Sequence, residues 1–268
     1  MISVYVDAVG LAAPGLPGWN ESQSVLRGET IYKSIELEKY KPEQLPPNER
    51  RRATELVRMA FRVCEDMMKN STLDMAQCAS VFASSGGDHP IIDQICNALC
   101  EPERLVSPTQ FHNSVHNSAA GYWSIATASR LPSTSISAYD DSFCGGLLEA
   151  ASLCNSEQMN TILAVYDIKP PPPLDAKRDI SAEFGAAFLL TPKKSEHSLV
   201  KLSLTLIDAQ ASTKAVQKEL EVLRLSNPAA RALPLLEIIA SKKFGTVDLL
   251  NDNQLAVRIE ISPCNLAT

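Results

Sequence analysis

Pro132-Ser133-Thr134-Ser135-Ile136-Ser137-Ala138-Tyr139-Asp140-Asp141-Ser142-Phe143-Cys144-Gly145-Gly146-Leu147-Leu148 is the stretch on which the fold turns. From Ser133 to Tyr139 it is extended: hydroxylated, β-branched and aromatic residues follow a proline, which suits a strand start. Asp140-Asp141 breaks the run, and from Ser142 to about Leu153 small and apolar residues recur at helical spacing. A strand, a two-acid turn and a helix therefore follow one another without a linker. Thr161 to Tyr166 is the next apolar run and reads as another strand. Strand, helix, strand in this order is the unit of a parallel α/β sheet.

Working outward, the same alternation continues toward the N-terminus. Ser118 to Ser129 is a helix of small residues holding Gly121, Tyr122 and Trp123, preceded by the polar segment Phe111 to Ser118. Pro90 to Cys100 reads as a helix with proline in its first turn, and Cys78 to Ser84 as a short strand. Asn48 is a candidate N-cap for a long amphipathic helix to about Lys69, with Leu56, Val57, Ala60, Phe61 and Cys64 on its apolar stripe. Ser3 to Val9 reads as the first strand, turning at Gly10 to Gly15. Loop and extended sequence then runs to Pro46-Pro47. In the other direction, Pro170 to Pro173 is a stiff polyproline segment, and Gly185 to Leu190 and Leu199 to Leu206 are strands. Lys214 to Leu225 and Asn227 to about Lys243 read as helices, with Pro234 as a kink or a true start. Leu255 to Ile261 alternates as a last strand.

The 268 residues carry a net charge of −6, with 45% hydrophobic and 21% charged residues, the balance of a globular protein. Nothing in the charge pattern points to nucleic acid, and the dense basic run Arg50-Arg51-Arg52 reads as a solvated helix face. No apolar run nears the roughly 20 residues of a membrane span. The N-terminus reads as a strand rather than a signal peptide, so the expectation is a cytoplasmic protein. The seven cysteines are irregularly spaced. Cys96 and Cys100 lie i,i+4 on a helix without a companion histidine at zinc spacing, so neither a metal nor another cofactor is expected.

Four segments, in order, resemble the N-terminal half of β-ketoacyl synthases, of the thiolase-like fold. They are Val4 to Pro14 (opening strand and Gly/Pro turn), Ser114 to Ile125, Pro132 to Ala138 before the nucleophile elbow, and Ala182 to Leu190 with its central Gly185. The resemblance covers about residues 1–207. It implies a β-ketoacyl synthase N-terminal-like domain, thiolase-like, with a mixed five-stranded sheet and helices on both faces. Residues 208–268 form a reduced α/β tail packing on the same domain.

The chemistry of that family sets a test. A condensing enzyme needs a thiolate at the strand-to-helix elbow, where the helix N-terminus lowers its pKa and backbone N–H groups receive the oxyanion. It also needs two histidines from glycine-rich segments later in the chain. By the resemblance the nucleophile position falls on Asp140, which cannot form a thioester. The histidines are His89, His112, His116 and His197, and the only glycine after Gly185 is Gly245, so the histidine motifs are missing too. Subunits of this family without a nucleophile are chain-length factors, which pair with an active ketosynthase and shape its acyl tunnel. The short form resembled here occurs in aryl polyene biosynthesis. The expected partners are a β-ketoacyl synthase subunit and acyl carrier protein, with a homodimer as fallback. Phe111, His112, Val115, His116 and Tyr122 are expected at the interface or acyl pocket, and Ser135 and Ser137 on the pairing strand. Two alternatives stand beside this. One is an acyltransferase or hydrolase using Cys144 or Asp140 on the same scaffold. The other is a free-standing carrier-protein binder, with Arg50 to Arg52 as its basic patch.

Overall fold

A computed structural model of the chain describes residues 1–208, 211–250 and 255–264. In chain order the elements are β1 (Ile2–Ala12), α1 (Trp19–Leu26), α2 (Pro47–Arg52), α3 (Glu55–Met68), β2 (Ala79–Ala83), α4 (His89–Cys100), α5 (Pro108–Asn113), α6 (Ser118–Thr127) and β3 (Ser133–Ile136). They continue with α7 (Ser142–Glu157), β4 (Thr161–Asp167), β5 (Phe184–Thr191), β6 (Val200–Asp208), α8 (Lys218–Ser226), α9 (Leu233–Ser241), β7 (Gly245–Leu250) and β8 (Leu255–Pro263).

All the strands join one mixed sheet in the order β3-β2-β4-β5-β1-β6-β8-β7. β3, β2 and β4 run parallel, as the helical crossovers α4–α6 and α7 require, while β5 and everything beyond it pairs antiparallel. The sheet has eight strands among the described residues, not the five expected. The difference lies beyond β1: β6 pairs with β8 from Val200↔Pro263 to Asp208↔Leu255, and β7 adds to β8. The final strand is therefore internal.

Strand alternation sends side chains to two separate cores, one on each face. Phe82, Ile162, Ala164, Tyr166 and Ala187 meet α3 and α6, where Phe61 and Trp123 stack edge to face at 5.3 Å. Val81, Ala83, Leu163, Val165 and Phe188 meet α7, and the same core continues under α1, α8 and α9. Two glycines allow the closest approaches. A Cβ on Gly10 would fall 1.9 Å from the Val63 carbonyl oxygen, so β1 and α3 touch backbone to backbone. A Cβ on Gly146 would meet Ala83 at 2.8 Å, which seats α7 on β2.

The helix expected from Asn48 to Lys69 is two. Ala53 is extended, and Thr54 caps α3 by accepting from the Val57 amide at 3.3 Å. The arginine run ends up on the short α2, where Arg50 donates to the Leu45 carbonyl at 2.7 Å and Arg52 faces Glu49. Helix α1 was not expected. It is tied in by the buried Asp66 of α3, whose Oδ2 accepts from the amides of Leu11 and Trp19. Pro234 lies in the first turn of α9, a true helix start rather than a kink. No helix of the described residues is long and apolar enough to cross a membrane.

Candidate functional site

Because β2, β3 and β4 are parallel, their C-terminal ends deliver three loops to one edge of the sheet, the usual place for a site in such a fold. These loops carry Ser84 to Gly87, Ser137 to Asp141, and Asp167. The middle loop is a tight 3-10 turn, Tyr139–Asp141, leading straight into α7. Tyr139 is left-handed, with φ +50°, a conformation that disfavours any residue but glycine by about 1 kcal/mol. Ser142 holds the turn: its Oγ donates to the Tyr139 carbonyl at 2.7 Å and accepts from the Ala138 amide at 3.1 Å.

Asp140 projects from this turn into two arginines. Arg178 Nη1 donates to Oδ1 at 2.5 Å, and Arg231 Nη2 lies 3.3 Å from Oδ2. Arg231 also reaches Asp141 at 3.3 Å. The Arg178 guanidinium lies 3.9 Å above the Tyr139 ring, a cation–π stack. The carboxylate at the elbow is thus a counter-ion shared by two cations.

Cys144 lies in the first turn of α7 and is buried in the core that faces β2 and β4. Burial first, and the Asp141 carboxylate second, push its thiol up to about 12. At neutral pH it is a protonated, packed thiol, the opposite of an activated nucleophile.

Asp167 closes β4 and is buried. Its Oδ1 accepts from Ser84 Oγ, the Ser85 amide and Ser85 Oγ at 2.8–3.0 Å. Burial raises its carboxyl to about 6, against the lowering effect of those bonds and of Arg178. The site loop is further pinned by Ser137 Oγ, which donates to the Ser85 carbonyl at 2.9 Å. His116 Nε2 lies 3.1 Å from the Ser84 carbonyl. His89 packs on Gly86, and burial followed by the Arg178 charge lowers its imidazole. Ser135 Oγ, on β3, is buried with no hydrogen-bond partner.

The remaining expected residues gather on α5 and α6. Phe111, His112, Val115, Gly121, Tyr122 and Ile125 line an apolar groove of about 420 Å³. Tyr122 donates to Asn113 Oδ1 at 3.0 Å and stacks edge-on against His112. The i,i+4 histidines therefore part company: His112 faces the groove, while His116 faces the loop after β2. Phe111, Val115 and Ile125 are each at least half exposed.

The family model for the β-ketoacyl synthase N-terminal domain matches residues 19–243. The chain belongs to that family. No curated protein matches it, but solved structures do. The ketosynthase ApeO in complex with its chain length factor ApeC, from Xenorhabdus doucetiae, matches with a TM-score of 0.73 at 23% identity, covering 97% of this chain and 100% of that one. The ishigamide ketosynthase/chain length factor gives 0.73 at 12% identity, with 99% and 100% covered. The AntDE:AntF complex, a type II polyketide acyl carrier protein with its ketosynthase, gives 0.76 at 12% identity, with 98% and 99% covered. At such identities the likeness is one of fold, and it confirms the thiolase-like ketosynthase architecture.

Within that family fold, sequence reasoning missed Arg178, Arg231, Tyr139 and Asp167. The arginines lie 38 and 91 positions after Asp140, and no local pattern reports a contact that distant. Asp167 had a signal: it is the one acid ending an otherwise apolar strand, Thr161–Asp167, at the carboxyl end where sites form.

Proposed function

We propose that the chain is a non-catalytic, chain-length-factor-type subunit that pairs with an active β-ketoacyl-ACP synthase in polyketide-like chain building of the aryl polyene kind. The observation that carries the reading is Asp140. At the position the family gives to its nucleophile stands a carboxylate held by Arg178 and Arg231. A carboxylate cannot form a thioester, and this one is engaged at both oxygens as the counter-ion of two arginines. The neighbouring thiol, Cys144, is protonated and buried, which argues against the acyltransferase and hydrolase alternative.

Pairing is supported by the β3 edge. Ser80 N–H donates to the Pro132 carbonyl and Ser84 N–H to the Ile136 carbonyl, so the even-numbered residues of β3 face β2. The amides of Ser133 and Ser135 then point away from the sheet. β3 is terminal in the strand order and carries no charge and no internal proline, the devices with which lone edges are protected. A strand of the partner ketosynthase adds there, and the α5–α6 groove contributes apolar wall to the shared acyl pocket. Acyl carrier protein is then a partner of the pair.

Native mass spectrometry of the protein co-expressed with a β-ketoacyl-ACP synthase from the same source tests this. A one-to-one complex is the expected result, with Asp140→Cys conferring no condensing activity on the free protein. A lone monomer or homodimer that ignores that ketosynthase refutes the reading.

A further inference from the structure

Tyr139 is the one large side chain at the end of β3 that the structure both exposes and immobilises. It is 57% exposed. A ring in that position normally samples several rotamers, yet this one is held at its backbone and on one face. Its backbone is fixed at φ +50° by Ser142, and one face of its ring lies under the Arg178 guanidinium at 3.9 Å. That guanidinium is in turn anchored by Asp140, and Asp140 by Arg231. The arginine is itself mostly buried, with 15% of its side chain exposed. Disfavoured backbone and two ion pairs are thus arranged to hold an aromatic ring in water.

We propose that Tyr139 is the anchor of the partner interface, and that Arg178 is a positioning residue that acts through it. The proposal rests on the subunit reading above and identifies the side chain that recognises the ketosynthase. The physical reason is preorganisation. Binding hot spots are enriched in tyrosine, tryptophan and arginine, and a ring already fixed in its bound pose loses little entropy on association. The chemistry of the occupant follows from the surroundings. Ser133, Thr134, Ser135, Ile136, Ser137, Ala138 and Tyr139 carry no charge, and the acids that follow are neutralised by Arg178 and Arg231. This surface suits an uncharged strand edge with an apolar pocket for the ring. A strongly acidic or basic partner finds no opposite charge on it. The occupant is therefore the ketosynthase subunit's own strand edge.

The role of Asp140 changes accordingly. The same substitution that removes the nucleophile supplies the counter-ion that fixes Arg178, and through it the ring.

The test is affinity for the co-expressed ketosynthase, measured on purified proteins for Tyr139→Ala, Tyr139→Phe, Arg178→Met, the Tyr139→Ala/Arg178→Met double variant, and Ser135→Pro. Thermal melting accompanies each to verify folding. Tyr139→Ala is expected to weaken binding at least about 30-fold with the melting temperature unchanged, and Tyr139→Phe by less than about threefold. Arg178→Met is expected to weaken binding about fivefold alone and not at all in the Tyr139→Ala background, the non-additivity of a residue acting through another. If Ser135→Pro abolishes binding while Tyr139→Ala binds as tightly as wild type, the anchor is refuted and the subunit reading stands. Equal losses from Arg178→Met in both backgrounds refute the positioning role. If wild type fails to bind the ketosynthase, or Ser135→Pro binds as wild type does, the subunit reading itself, or its edge, falls and the anchor falls with it.

Discussion

The two ends of the sheet are built on opposite plans. At one end, β7 is edged by residues 212–213: the Asp248 amide donates to Thr213 Oγ1 at 2.9 Å, the Leu250 amide to Ser212 Oγ at 3.2 Å, and the Thr213 amide returns a bond to the Asp248 carbonyl. Asp248 is also paired with Arg258 across the β7–β8 ladder. A further strand meets the Asp248 and Leu250 amides and the Asp248 carbonyl already bonded. At the other end, β3 has short side chains, no charge and outward amides without a cover. On the proposed pairing, the edge left bare is the one that meets the partner.

The largest effect that can break this comparison comes from Ser135→Pro. It removes an outward donor without touching the bonds to β2, so the complex with the ketosynthase is expected to weaken at least about 100-fold, near 3 kcal/mol. The isolated protein should keep its melting temperature. Equal loss of folding and binding would mean that β3 is held as tightly as an internal strand.

Next in size is a pair of buried carboxyls, one in each half. Asp167 at the end of β4 is raised to about 6, and Glu237 of α9, beneath the covered half, to about 7, in both cases chiefly by burial. A folded-state pKa above the unfolded value means that the native protein holds its proton longer. Stability is therefore greatest below the unfolded pKa, near pH 4, and falls as pH rises through 6 for Asp167 and 7 for Glu237. Asp167→Asn should flatten the part of that decline between pH 4 and 6, an effect of about 2–3 kcal/mol. Glu237→Gln should flatten the rest. Denaturant melts across pH 4 to 8 read both, and an unchanged slope in either variant removes that carboxyl from the account.

Smaller again is the cover on β7. Thr213→Ala strands the Asp248 amide and should lower stability by about 1 kcal/mol. It should also raise self-association on light scattering while leaving ketosynthase affinity unchanged. Loss of ketosynthase binding in this variant would place the interface at the wrong edge. The smallest effect belongs to Gly121, whose Cβ position on α6 is open. Gly121→Ala should stabilise the isolated subunit by up to about 1 kcal/mol through helix propensity. If the groove is closed in the complex, Gly121→Leu should weaken pairing or alter product length.

The two ends were not equally legible either. The Ser133-to-Leu153 stretch and the strand at Thr161 follow period-2 and period-3.6 patterns without interruption, so the parallel half could be read directly. The turn at Asp140-Asp141 came with it, while the assignment of Asp140 to the nucleophile position rests on the family resemblance. The covered half was read less well. In β7 the buried pair Val247 and Leu249 does alternate with Thr246 and Asp248, but a run of six residues offers too few repeats to stand out by period alone. The break before Thr54 carries no strong mark in the sequence, because Asn48 offers a cap of its own and Ala53 falls in step with Leu56 and Val57. Helix α1 lies between glycines and prolines and owes its place to Asp66, a contact across 47 residues from Trp19. Arg178 and Arg231 meet Asp140 only in the closed tertiary structure. No pattern in their own neighbourhoods could report that.

The place of β1 bears on how the protein is made. β1 leaves the ribosome well before the strands that flank it, β5 and β6, and pairs with neither until residue 184 and beyond have been translated. At ordinary elongation rates that is a wait of about 10 to 40 s, during which Val4, Val6, Val9 and Leu11 have no native neighbours in the sheet. The parallel unit β2-β3-β4 can assemble in that interval, bare edge included. On the proposed pairing, synthesis beside a nascent or finished ketosynthase would let that edge be met before the sheet is complete.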